Sequence, residues 1–186
     1  MSYYKASAEQ GDALAANNLG AMYEWGHGVS ADAREAARWY RVAAEHGEPT
    51  AQANLAGLYF FGKGVRRDYA QAAYWLQRSA KRGVATAQAG LAYLYAVGKG
   101  VPMDFQQAAE WARRAADQGN SNGQAELASL YEHGKGVPLD YVSAYRWYMV
   151  ALQGGNKTAK SRLSDLSHIM TERQLNDAKA LALQAR

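Results

Sequence analysis

The side chains that could do chemistry in this chain form no recognisable catalytic or metal-binding pattern. Histidines stand at positions 27, 46, 133 and 168, but no two share the i, i+4 spacing of a helical zinc motif. The chain has no cysteine, which removes thiolate nucleophiles, disulfides and sulfur-ligated zinc. No nucleophile elbow organises serine, histidine and aspartate. We therefore predict no catalytic residue, no metal site, no cofactor and no enzymatic activity.

The glycine motif GKGV, at 62–65, 98–101 and 134–137, invites comparison with a phosphate-binding loop. Such a loop follows a strand and places its lysine after the last glycine. Here the motif follows a helical pattern, and its lysine precedes the second glycine. The copies stand 36 residues apart, and Gly26–Val29 is a fourth with one substitution. We interpret the motif as a structural turn and expect neither a nucleotide nor another small-molecule substrate.

The rest of the chain repeats at the same period of 36 residues. Self-similarity at a fixed period is typical of stacked supersecondary units, each too small to bury its apolar face alone. The repeated columns are Leu19, Leu55, Leu91 and Leu127, then Asp32, Asp68, Asp104 and Asp140, then Trp39, Trp75, Trp111 and Trp147, and finally Gly47, Gly83, Gly119 and Gly155.

Each repeat predicts two amphipathic helices joined by the glycine turn. In the second repeat the apolar spacing favours helix A over about 49–61 and helix B over about 68–82. Gly62 is expected to end helix A in a left-handed conformation. Asp68 is expected to cap helix B in a capping box with Gln71. The same pairing recurs as Asp32 with Glu35 and as Asp104 with Gln107, whereas Ser143 takes that place in the fourth repeat.

Composition and charge are those of a globular helical protein. Hydrophobic residues make up 48% and charged residues 20% of the sequence, and no apolar run approaches the ~20 residues of a membrane helix. The net charge of +4 is scattered, and we do not expect nucleic-acid binding. The successive turns nevertheless predict a basic edge, for which solvation is the preferred role and an anionic lipid, nucleic acid or acidic protein the alternative. Its residues are Lys63, Arg66, Arg67, Lys99 and Lys135.

The repeated pattern resembles the Sel-one-like repeat (SLR) family, which is related to tetratricopeptide repeats. The resemblance covers about 12–155 and rests on a pattern that begins, in the first repeat, with Ala15, Leu19-Gly20, Tyr23, Gly26-x-Gly28-Val29, Asp32, Ala36 and Trp39-Tyr40. It implies an all-α fold, a right-handed α-solenoid of stacked antiparallel helix pairs in which helix A lines the concave side. It also implies a noncatalytic scaffold for protein complexes, frequently bacterial.

We expect a single repeat domain over 1–186. It would comprise a partial repeat helix at 1–11, four repeats at 12–47, 48–83, 84–119 and 120–155, and terminal capping helices at 156–186. Because residues 3–11 align with the second half of helix B, the N-terminus looks trimmed, and the sequence leaves open a removed piece, a processed leader or a natural half-repeat that serves as a cap. Near the other end, Thr171 and Gln174 predict a further capping box.

The positions at which the repeats differ are the candidates for partner binding, because the repeated positions are needed for packing. Trp25 and Phe61 could instead pack against the following pair, whereas Phe60 and Tyr93 are expected to be exposed. Asn18 and Asn54 could bond a peptide backbone, and Glu126 and Glu132 could meet basic partner residues. The full set is Asn18, Trp25, Asn54, Phe60, Phe61, Tyr93, Glu126, Glu132 and His133.

The predicted function is that of a noncatalytic adaptor that binds a peptide segment or a folded protein in its helix-A groove. The alternative is an inhibitor or immunity-type protein that neutralises a cognate bacterial enzyme or toxin. We expect a bacterial protein, periplasmic or cytoplasmic, and the sequence leaves its oligomeric state open.

Overall fold

The computed structural model describes residues 2–183, so the first residue of the predicted segment 1–11 and the last three of 156–186 lie outside the described residues. All regular structure in the described part is helical, as predicted, and the central helices share one length of 13 residues. The helices are α1 (Ser2–Glu9), α2 (Ala13–Trp25), α3 (Ala33–Glu45), α4 (Pro49–Phe61), α5 (Tyr69–Lys81), α6 (Ala85–Val97), α7 (Phe105–Asp117), α8 (Ser121–His133), α9 (Tyr141–Gln153), α10 (Ala159–Ile169) and α11 (Glu172–Leu183).

The helices fall into two compact units. The first comprises the residues up to Ala87 together with Lys99–Val101, and the second comprises Gln88–Gly98 and the residues from Pro102 onwards. In the first unit α1 packs on α2, α2 on α3, α3 on α4 and α4 on α5. In the second, α7 packs on α8 and α8 on α9, and α9 also contacts α10 and α11. Packing between successive helices is what a repeat architecture predicts.

The residues that recur in every repeat form the core of each unit. The tryptophan column is buried, with Trp39 and Trp75 in the first unit 7% and 8% exposed and Trp111 and Trp147 in the second equally covered. The leucine column is fully buried. Gly20 also serves packing, because a Cβ at that position would lie 2.6 Å from the Tyr40 ring. Burial of each aromatic stabilises its unit by a few kcal/mol, about 2 to 3 by area.

The two glycines of the turn have different structural roles. Gly62 ends α4 in the left-handed conformation, with φ 71°, and its N–H donates to the Leu58 carbonyl, as predicted. At Gly64 a Cβ would lie only 2.0 Å from the carbonyl oxygen of Ala33, at the start of α3 in the preceding pair. The second glycine of the predicted turn therefore allows backbone contact between pairs.

The predicted aspartate caps are present, but of each predicted capping box on helix B only the bond from the helix backbone to the aspartate is formed. Asp68 Oδ1 accepts from the N–H groups of Ala70 and Gln71 at 2.9 and 3.0 Å. Its own N–H donates to the carbonyl of Tyr59 at 3.0 Å, so the backbone of α4 takes the place expected for Gln71. The Thr171–Gln174 box is reciprocal, with N···O distances of 2.9 and 3.3 Å.

Candidate interaction surface

The last residue of each helix A is exposed, and it differs from one repeat to the next. Trp25 and Phe61 hold this position in the first unit, 66% and 76% exposed, and Val97 and His133 hold it in the second, where Val97 is 40% exposed. In each case a left-handed glycine follows directly and ends the helix. Side chains this close to the turn project past the packed seam, and the open alternative that Trp25 and Phe61 are core is wrong in this unit.

The exposed Trp25 ring lies beside a cation. Lys63 follows Phe61 by two residues, and its Nζ lies 5.4 Å from the centroid of the Trp25 ring. The same ammonium group donates to Glu24 Oε1 at 3.2 Å. A cation over an exposed indole holds that ring in place while its other face stays accessible. We call Trp25, Phe61 and Lys63 the aromatic patch.

Phe60 differs from its prediction, because it is half-buried rather than exposed. Its ring meets Phe61 edge-on, with centroids 4.9 Å apart, and meets Tyr69 at the start of α5 with centroids 5.4 Å apart. The reason is its position on the helix. Phe60 lies four residues after Ala56, which is buried against the neighbouring helices, and so shares that side of α4.

The two asparagines do not both offer free amides. Asn54 Nδ2 donates to Asn17 Oδ1 at 3.2 Å, and Asn17 itself is buried. Asn18 is half-buried on α2. Asn54 thus already bonds the preceding repeat, and the predicted contact of Asn18 and Asn54 with a peptide backbone stays a prediction.

In the second unit, three candidates are partly accessible. Tyr93 is 39% exposed. His133 is exposed, and its Nδ1 lies 2.8 Å from the carbonyl oxygen of Ser129, which places the ring proton on Nδ1 because a carbonyl only accepts. Glu126 is half-buried, and this burial raises the pKa of its carboxyl group. A basic partner would bind Glu126 more strongly in its ionised form.

Glu132 is not the open carboxylate that the sequence predicted. Its Oε2 accepts from the Tyr148 hydroxyl at 2.8 Å, and its Oε1 accepts from Arg162 Nη2 at 2.6 Å. Burial and the bond to Glu132 raise the pKa of Tyr148 to about 12, while Arg162 acts in the opposite direction. Glu132 is therefore a structural residue that joins α8 to α9 and α10.

Sequence analysis missed an equivalent cluster in the first repeat. Glu24 Oε2 accepts from the Tyr40 hydroxyl at 2.8 Å, and Glu24 Oε1 accepts from Lys63. Burial, followed by the bond to Glu24, raises the pKa of Tyr40. The signal was available in two columns that change together, with Glu–Tyr in the first repeat, Phe–Leu in the second, Ala–Ala in the third and Glu–Tyr in the fourth. These columns are Glu24, Phe60, Ala96 and Glu132 on helix A, and Tyr40, Leu76, Ala112 and Tyr148 on helix B.

The described residues contain no group of three or more histidine and carboxylate side chains that could hold a metal ion. The Nδ1 atoms of His46 and His168 bond carbonyl oxygens one helical turn earlier, at 2.8 and 2.7 Å, as in His133. In the same stretch, no helix is long and apolar enough to cross a bilayer.

Comparison with known families agrees with this architecture. Segments 1–12, 13–48, 49–84, 85–120 and 121–156 match the Sel1 repeat. The chain therefore belongs to the Sel1 repeat family, whose members generally mediate protein–protein interaction as non-enzymatic scaffolds.

Two solved bacterial structures resemble the chain over most of its length. A protective antigen with an SLR fold from uropathogenic Escherichia coli is 35% identical over 99% of this chain, with a TM-score of 0.91, and the match covers 40% of the antigen. A Sel1 repeat protein from Oxalobacter formigenes is 37% identical over 88% of this chain and 48% of its own, with a TM-score of 0.74. The chain thus spans less than half the length of either relative.

An immunity protein from Pseudomonas aeruginosa shares the fold more distantly. It is 22% identical over 98% of this chain and 72% of its own, with a TM-score of 0.55. At that identity the likeness concerns the fold alone. No curated protein matches the chain.

Proposed function

We propose that this protein is a noncatalytic adaptor whose aromatic patch anchors a partner protein. The observation that carries the proposal is the exposure of Trp25 and Phe61, 66% and 76%, at the last position of helix A, where the repeats differ. Aromatic side chains are enriched among the residues that dominate binding energy. A monomer that leaves two large rings in water at a repeated position loses burial energy, which a partner would restore.

The predicted groove residues contribute unequally to this proposal. Tyr93, Glu126 and His133 would offer contacts of their own on the helices A of the second unit, each through an accessible or partly accessible side chain. Phe60 would support Phe61 from behind through its edge-on ring contact. Glu132 is left out, because both of its oxygens are engaged within the protein.

The test compares capture by matched variants of the full chain. The Trp25→Ala, Phe61→Ala double variant removes the patch, and Leu14→Ala removes an apolar group that is 60% exposed at the opposite end of α2. Each is used as bait in an extract of the source bacterium, and the bound proteins are quantified by mass spectrometry. We expect a partner that wild type and Leu14→Ala retain equally and that the double variant loses at least about tenfold.

Two results would contradict this proposal. Equal retention by all three baits would show that the patch does not anchor a partner. A captured enzyme whose activity falls to zero at one-to-one stoichiometry would instead assign the inhibitor role. Unchanged melting of the double variant confirms that a loss of capture comes from the patch, because exposed side chains contribute little to folding, about 0.5 kcal/mol or less each.

A further inference from the structure

The first unit contains a cation-lined depression on its turn side. It is open to solvent and has a volume of about 1000 Å³. Helix α3, helix α4 and the turn that leads into α5 all contribute to its wall. We call it the arginine depression, and its main lining residues are Arg41, Tyr59, Arg66, Arg67, Asp68 and Tyr69.

Its three arginines carry charge that the protein does not neutralise. Among residues 2–183, none of the three guanidinium groups forms an ion pair. Arg41 Nη2 donates to the Tyr59 hydroxyl at 2.7 Å, and Arg67 lies 5.7 Å from the centroid of the Tyr69 ring. Asp68, whose Oδ1 caps α5, adds one negative charge against these three positive ones. Tyrosines thus hold two of the cations in position while their charge stays available.

The fold itself does not require these arginines. The turn positions of Arg66 and Arg67 are held by Pro102-Met103 and Pro138-Leu139 in the later repeats, and by Ser30-Ala31 in the first. All four turns begin with a left-handed glycine and lead into a helix capped by aspartate. Arg113 repeats the contact of Arg41, because its Nη2 also donates to a tyrosine hydroxyl, that of Tyr131. Only the second turn adds the arginine pair.

We propose that the arginine depression binds an acidic segment of a partner protein through carboxylate groups. Guanidinium groups bind carboxylates in paired, charge-assisted hydrogen bonds, which are stronger than neutral ones. The arginine pair is not repeated at the next turn, where Pro102 and Met103 take its place and Lys99 is the remaining cation, so a long phosphate backbone would meet only a short stretch of high charge. The proposal rests on the proposed function only in taking a protein as the occupant.

The depression is also continuous with the aromatic patch. Phe61 contacts Phe60 and Phe60 contacts Tyr69, with centroids 4.9 and 5.4 Å apart, and Tyr69 lines the depression. Lys99 Nζ lies 5.1 Å from the same Tyr69 ring and adds positive charge nearby. One partner chain could therefore place an apolar side chain at Phe61 and acidic side chains beside Arg66 and Arg67.

The experiment measures the binding of a fluorescein-labelled hexaglutamate peptide to the full chain by fluorescence anisotropy. The test variant, Arg66→Pro with Arg67→Met, replaces the arginine pair with the residues found at the next turn. The control variant, Lys81→Gln with Arg82→Gln, removes the same charge from an exposed helix end of the same unit. We expect the Kd for hexaglutamate to rise about tenfold in the test variant and to change less than about twofold in the control variant. Added salt should weaken binding by the wild type.

Arg41→Gln is the second test variant, because Gln77 holds the equivalent position, and it keeps the proposal testable if the double variant fails to fold. Equal losses in the test and control variants would overturn the proposal, since net charge alone would then explain binding. Tighter binding of inorganic phosphate, oligothymidine or phosphatidylserine vesicles than of hexaglutamate would overturn it as well. A captured partner that needs Trp25 and Phe61 but ignores Arg66 and Arg67 would refute the acidic site and leave the adaptor function standing.

Discussion

The first and fourth repeats contain the same carboxylate–phenol hydrogen bond, but each places a different cation beside it. In the first unit Glu24 bonds Tyr40 and meets Lys63 of the next turn, at 2.8 and 3.2 Å. In the second unit Glu132 bonds Tyr148 and meets Arg162 of α10, at 2.8 and 2.6 Å. Lys63 is a single charge on a turn, whereas Arg162 is anchored on a helix that also packs on α9.

The difference shows how one pair of columns can serve two purposes. Lys63 divides its charge between Glu24 and the exposed Trp25 ring, and so connects the core of the first repeat to the aromatic patch. Arg162 bonds Glu132 and also approaches Asp165 on its own helix, at 3.5 Å. In the fourth repeat the carboxylate therefore attaches α10, the helix that follows the last helix pair.

The largest expected effect comes from removing the two carboxylates. Glu132→Ala leaves a buried phenol and a guanidinium without their partner, and we expect a loss of about 2 to 3 kcal/mol in the free energy of unfolding. Glu24→Ala should cost about 1 to 2 kcal/mol, because Lys63 is 47% exposed and retains Trp25. Urea denaturation measures both. Equal losses would show that the identity of the cation does not matter.

Removing the two cations should give the next largest losses in the free energy of unfolding. We expect Arg162→Met to cost about 1 kcal/mol and Lys63→Met less than about 0.5 kcal/mol, since both groups are partly exposed and screened by solvent. Raising the salt concentration should reduce both losses. Thermal melts in low and high salt provide the measurement. A larger loss for Lys63→Met would reverse the comparison.

Alkaline pH should destabilise the second unit through Tyr148. Its folded pKa is about 12, above the value of about 10 for an unfolded tyrosine. Above pH ~10 the unfolded state therefore binds fewer protons, and stability falls by up to about 1.4 kcal/mol per pH unit until pH passes the folded pKa. Tyr148→Phe should flatten this fall, measured by urea denaturation between pH 9 and 12, about the range of the two pKa values. An unchanged slope would contradict the shift.

The repeat fold was predictable because the residues that determine it act locally and recur in all four repeats. Glycine where helix A ends, aspartate where helix B begins and tryptophan inside helix B each have a physical reason that needs no knowledge of the neighbours. The helix limits followed from them, and 49–61 is the observed extent of α4. The close approach of Gly64 to Ala33 was not predictable in the same way, because it depends on how one pair meets the next.

The surface was predictable only in part, since exposure depends on helix rotation and on partners distant in the chain. The variable column of Trp25 and Phe61 is exposed, but Phe60 and Glu132 lie one residue around the helix and turn toward their own helix B. Arg162 is 30 residues away from Glu132 in sequence, so no local pattern joins them. The paired changes in the two columns were the one sequence signal for these contacts.

Exchanging both columns together tests the comparison between repeats most finely, because the expected net change in the free energy of unfolding is near zero. Glu24→Phe with Tyr40→Leu transfers the Phe60–Leu76 pair into the first repeat. Each single change should destabilise by about 1 to 3 kcal/mol, through a lost hydrogen bond or a misfit in the core. The double variant should return to within about 1 kcal/mol of wild type, since an apolar pair of similar total volume can replace a buried polar one. A full double-mutant cycle measures the coupling, and simple additivity of the two losses would mean that the columns change independently.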